Sequence, residues 1–92
     1  MYTLSAKLCF YIHESNSLKS KRQVRRSLIE KARSKFNAAV AEVGKTGSHK
    51  EMELGVAVVS GNLAHANQML DEITRYMESS TAAELMAVEL YD

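Results

Sequence analysis

From Tyr2 to His13 the chain changes character at every residue: Tyr2, Leu4, Ala6, Leu8, Phe10 and Ile12 are apolar, with Thr3, Ser5, Lys7, Cys9, Tyr11 and His13 between them. Strict period two over this length describes an extended strand with one face on a core. The period returns downstream, where Met52, Leu54, Val56 and Val58 alternate with Glu51, Glu53, Gly55 and Ala57 before Ser60 and Gly61 stop the run. Two long, one-sided strands need something apolar laid across the buried side, and the intervening segments have helical spacing.

After the first strand, Glu14 to Ser17 break the alternation, and Asn16 or Ser17 is suited to cap a helix that ends near Phe36 and Asn37. Small and β-branched residues from Ala38 to Val43 predict a second strand, joined to the third by a flexible hairpin loop from Gly44 to His49. Asn62 or Ser60 caps a second helix, whose Leu63, Ala66, Leu70, Ile73 and Met77 recur every three or four residues. A last strand is expected from about Ala83 to Leu90, with Leu85 and Ala87 on one face and Met86, Val88 and Leu90 on the other. The order β-α-β-β-α-β, with right-handed crossovers, predicts an α+β ferredoxin-like sandwich: a four-stranded antiparallel sheet with both helices on one face. A chain of 92 residues suits a single domain, 1–92, around one core. Its opposite sheet face is expected to show Ser5, Lys7, Cys9 and Tyr11 beside Gly55 and Ala57, a semi-apolar surface suited to a homodimer.

Charge is distributed unevenly. Eight of the twelve basic residues fall between Leu18 and Phe36 with one acid, Glu30, so that segment carries +7 (8 − 1) and the remainder −6 (4 − 10). At 100° per residue Leu18, Leu28, Ile29, Ala32 and Phe36 gather toward the sheet with Val24 at the margin, while Lys19, Arg22, Arg26 and Arg33 form an outward row broken only by Glu30. Lys21 and Arg25 project nearer the sheet and must snorkel around its rim or pair with acids. Like charges at this spacing, with Lys19, Lys21 and Arg22 at the positive end of the helix dipole, work against helix stability. Ser17, Lys19, Arg22, Arg26 and Arg33 are therefore candidates for phosphate or nucleic-acid contact, against two other readings: ion pairing within or between subunits, and a solvated face. The outward face of the first strand has one aromatic, Tyr11, so contact with RNA would be to shape and backbone rather than to stacked bases.

Other chemistry finds little support. Gly44-Lys45-Thr46 lacks the earlier glycine of a phosphate-binding loop and lies between strands. His13, His49 and His65 occupy different elements, with no ligand spacing for a metal, and Cys9 reads as a packed strand thiol. No catalytic constellation, cofactor site, metal site or small-molecule substrate is predicted. Phosphate chemistry at Ser17 and Lys19 ranks last for want of a general base. A lone cysteine, and no export signal or apolar span, predict a cytoplasmic protein without a membrane partner.

Ser17-Leu18-Lys19-Ser20-Lys21-Arg22, then Phe36-Asn37 with Val40-Ala41-Glu42-Val43, and Leu54-Gly55-Val56-Ala57-Val58-Val59-Ser60 together resemble the YlxP-like family of uncharacterised bacterial proteins. The likeness spans nearly the whole chain. It implies a ferredoxin-like fold, frequent dimerisation, and genes often near those of translation initiation and ribosome-maturation factors, with no established enzyme activity. Two functions are expected from charge pattern and resemblance together. One is a non-enzymatic accessory domain on structured RNA or a ribosomal precursor; the other is a homodimeric interaction module using the open sheet face, with the basic helix paired to acids such as Asp71, Glu72 and Glu78 in a protein partner.

Overall fold

The computed structural model describes residues 1–91 and has the order β1 (Tyr2–Tyr11), α1 (Leu18–Lys35), β2 (Ala39–Gly44), β3 (Glu51–Ser60), α2 (Leu63–Ser79) and β4 (Glu84–Tyr91). The strands form one antiparallel sheet in the order β2-β3-β1-β4, the arrangement of a ferredoxin-like α+β fold. The even residues of β1 and β3 alternate into the core as their sequence period requires. Leu8, Met52 and Leu54 are fully buried, joined by Leu28 and Ala32 of α1 and by Ala66, Ile73 and Met77 of α2. α2 rests on β1 and β3, and α1 lies against β2 and α2.

Local chemistry fixes both helix starts. Ser17 Oγ accepts from the Ser20 N–H at 3.1 Å, and Asn62 Oδ1 accepts from the His65 N–H at 2.9 Å, each satisfying an N–H that would otherwise lack a partner in the first turn. At the other end of α1, Phe36 packs edge-on against Tyr76 of α2 at 5.5 Å between centroids, and Lys35 lies 4.6 Å from the Tyr76 ring. That contact ties the two helices together at the margin of the core.

Two bulges reset the face pattern. β1 pairs Cys9 with Ala87 but Phe10 with Leu85, leaving Met86 as an extra residue. Leu85, Val88 and Leu90 consequently share the helix side, and Ala87, Glu89 and Tyr91 the open side. This corrects the expected grouping of Leu85 with Ala87 against Met86, Val88 and Leu90, because an inserted residue inverts the alternation beyond it. Since α2 does not cover the β4 edge, Val88 and Leu90 remain 41% and 73% exposed. In β2 the register shifts between Glu42 and Gly44, which swings Val43 over Gly55; a Cβ at Gly55 would stand 2.8 Å from Val43 Cγ1.

Candidate nucleic-acid interface on helix α1

The helix sorts its cations by side. Lys21 and Arg25, one turn apart toward the sheet, converge on a single carboxylate of the edge strand: Lys21 Nζ stands 3.4 Å from Glu42 Oε2 and Arg25 donates to Glu42 Oε1 at 3.1 Å. Lys21 is only 1% exposed, and its ammonium also donates to the Lys45 carbonyl. Lys45 itself is in the left-handed region at φ 58° and its carbonyl also accepts from the Ser48 N–H at 3.0 Å, so the strut from Lys21 is anchored where the hairpin turn begins. On the flank toward α2, Lys31 donates to the Ser80 carbonyl at 3.2 Å, and Lys35 is taken up by Tyr76. These four basic residues are engaged in holding the fold together.

The predicted row is different. Lys19, Arg22 and Arg26 are exposed and, among the described residues, have neither an ion pair nor a hydrogen bond to the protein. Arg33 belongs to the row by helical position and is also exposed, but its guanidinium bends to the edge strand and donates to the Val40 carbonyl at 2.6 Å. That bend brings the last residue of the row to the β2 edge. The row borders a cleft of about 300 Å³ between α1 and β2, lined by Arg25, Arg26 and Arg33 with Ile29, Ala41 and both Glu30 and Glu42. Ser17, the remaining predicted residue, uses its hydroxyl as the helix cap.

Glu42 is the residue that sequence reasoning missed. The signal for it lay in Lys21 and Arg25, two cations four apart on the apolar side, which require an acid on the element they face. Within the chain, Asp71 pairs with Arg75 at 3.0 Å and Glu72 accepts from Gln68 at 3.1 Å, both along the exposed side of α2.

The open sheet face has opposite electrical character. Glu51 and Glu53 of β3 and Glu84 and Glu89 of β4 flank β1, with Lys7 placed between Glu89 at 3.1 Å and Glu53 at 3.6 Å. The hydrogen bond from Lys7 holds the Glu89 carboxyl below its ordinary range, and Glu89 in turn raises the Lys7 ammonium. Burial pushes the Cys9 thiol up, and Glu53 3.8 Å away adds to it, so the sulfur stays protonated at neutral pH and is a poor nucleophile. Tyr11 packs edge-on to His13, whose ring bonds Glu84 at 2.7 Å. The expected face residues are thus together, Lys7, Cys9 and Tyr11 toward an acidic end and Ser5 toward a small-residue end. There Ser5, Ala39, Ala41, Gly55 and Ala57 line a depression of about 500 Å³ bounded by Val43 and Tyr91, with Lys7 and Arg33 at its margin. No helix among the described residues is long and apolar enough to cross a membrane.

Comparison with known proteins agrees with the resemblance read from the sequence. The chain is 26% identical over 68 residues to the uncharacterized protein YlxP of Bacillus subtilis (strain 168), an alignment covering 74% of each chain. A family model described as "Protein of unknown function (DUF503)" matches residues 3–90, nearly the whole sequence, and on that match the chain belongs to the DUF503 family.

Proposed function

We propose that this protein is a non-enzymatic accessory domain of the bacterial cytoplasm that docks on structured RNA or ribosomal precursors through helix α1. One observation carries the reading: Lys21, Arg25, Lys31 and Lys35 are each engaged within the protein, whereas Lys19, Arg22 and Arg26 are exposed and free of protein partners among the described residues. Side chains held as a cationic row at one- and two-turn spacing suit a ladder of phosphates, and binding by charge is steered over long range. The acidic open face repels the same ligand, which favours docking by one side. With three to five phosphate contacts, log affinity should fall against log salt with a slope of about −2 to −4. Co-sedimentation with ribosomes and their precursors at graded salt tests it, alongside Arg22→Glu/Arg26→Glu; absence of salt-sensitive association, or no effect of the double reversal, would refute it.

A second reading concerns the open face. The depression lined by Ala39, Ala41, Gly55 and Ala57 and bounded by Val43, Tyr91 and Arg33 of α1 supports homodimer formation there. Light scattering tests it with Ala41→Glu and Tyr11→Glu; a monomer at every accessible concentration removes it.

A further inference from the structure

Glu30 is the sole acid in the +7 segment, and its surroundings give it a use. It lines the 300 Å³ cleft with Arg25, Arg26 and Arg33, and it also borders a hollow of about 460 Å³ on the outer side of α1. Arg26 stands one turn before it and Arg33 about one turn after. Yet Glu30 is exposed and, among the described residues, forms neither an ion pair nor a hydrogen bond. It does not neutralise the arginines around it.

The arginines themselves are partly prepositioned. Arg25 is held by Glu42 and Arg33 by the Val40 carbonyl, each through one of the five N–H donors of its guanidinium, and Arg26 has its whole fork free among the described residues. Ordering the Arg33 fork in advance lowers the entropic cost of gripping an anion, while the Arg25 charge is met by Glu42. A phosphate chain laid across Arg26 and Arg33 meets the Glu30 carboxylate, which repels it. The repulsion turns to attraction where the chain also carries a hydroxyl that can donate to that carboxylate. A ribose 2′-OH sits beside every phosphate in RNA and is missing from DNA.

We propose that Glu30 makes this cleft selective for RNA over DNA: the guanidiniums of Arg26 and Arg33 take the phosphates, and the Glu30 carboxylate accepts a hydrogen bond from a ribose 2′-OH. The inference rests on reading α1 as the RNA-docking surface and assigns that surface its discriminating residue. Glu30 is a surface position, so Glu30→Gln removes the charge while keeping the helix.

The test compares an RNA hairpin with a DNA hairpin of matching sequence, by fluorescence anisotropy at one fixed salt concentration. The proteins are wild type, Glu30→Gln and Arg26→Ala/Arg33→Ala. Wild type should favour RNA about tenfold, the scale of one charge-assisted hydrogen bond after desolvation. Glu30→Gln should bring the two affinities together, chiefly by tightening DNA. Equal wild-type affinities, or an unchanged ratio in Glu30→Gln, overturn the role of Glu30. If the two hairpins bind and the arginine double variant weakens them alike while Glu30→Gln changes nothing, α1 remains the nucleic-acid surface and only the selectivity falls. If neither hairpin binds, the reading of α1 falls and takes this inference with it.

Discussion

Replacing Glu42 by leucine should be among the most damaging single changes outside the apolar core, although Glu42 looks like an ordinary strand acid. The substitution strands Lys21, whose side chain is 2% exposed, against 13% for Glu42, so water can neither reach the ammonium nor screen the lost pair appreciably. At 3.4 Å the attraction is about 5 kcal/mol for an effective dielectric of about 20, and desolvation of the two ions offsets much of it in the intact protein. Removing one partner forfeits the attraction and keeps the desolvation, an expected loss of about 3 to 5 kcal/mol. Lys21→Met should cost less, about 1 to 2 kcal/mol, because Glu42 keeps Arg25 at Oε1 and the Lys45 carbonyl keeps the Ser48 N–H, so that Glu42 Oε2 is the one atom that loses its counter-ion. The double variant Lys21→Met/Glu42→Leu removes both charges and should be near Lys21→Met alone, giving a coupling equal to the Glu42→Leu cost, about 3 to 5 kcal/mol. Urea unfolding of the four proteins measures all of this, and the thermal midpoint of Glu42→Leu should drop by at least about 12 °C at this chain length. A cost below about 1 kcal/mol for Glu42→Leu, or two single costs that simply add, would show that the buried cluster is not the strut described.

Two further outcomes follow from other contacts. Ser17→Ala should destabilise by about 1 kcal/mol through loss of the α1 cap, while Ser17→Asp keeps the acceptor and most of the stability; equal effects in thermal melts would remove the capping role. For Lys7 and Glu89 the linkage has two limbs. Glu89 is lowered in the fold, so its contribution is present above its unfolded pKa and is lost as pH falls through its folded value. Lys7 is raised, so its contribution is present below its unfolded pKa and is lost as pH rises through its folded value. Lys7→Met should therefore lower stability at neutral pH and converge with wild type in acid, and a pH-independent gap between their denaturation midpoints would contradict the assignment.

Much of the fold was legible because β1 and β3 carry their burial in period two and α2 carries its own in a single stripe. Nothing competes with those patterns: Leu8, Leu54 and Ile73 have no plausible place but the core. The β4 faces were not legible, since a bulge at Met86 leaves no mark on an alternating sequence, and the residues beyond it change sides. At the candidate site, helical spacing alone separates Lys19, Arg22 and Arg26 from the buried side and marks Lys21 and Arg25 as needing an acid. It does not say which acid, because Glu42 arrives from an edge strand whose register only the assembled sheet defines. Nor does it show Arg33 turning to the Val40 carbonyl, a contact made possible by β2 running beside the end of the helix.

The central claim is that the exposed row on α1 is a docking surface for RNA rather than a solvated face. The salt dependence of ribosome or precursor association tests it most directly, measured for wild type and for Arg22→Glu/Arg26→Glu. A log-log slope of about −2 to −4 for wild type, with association abolished in the double reversal, is the expected result. Association that ignores salt, or that survives the reversal undiminished, would contradict it.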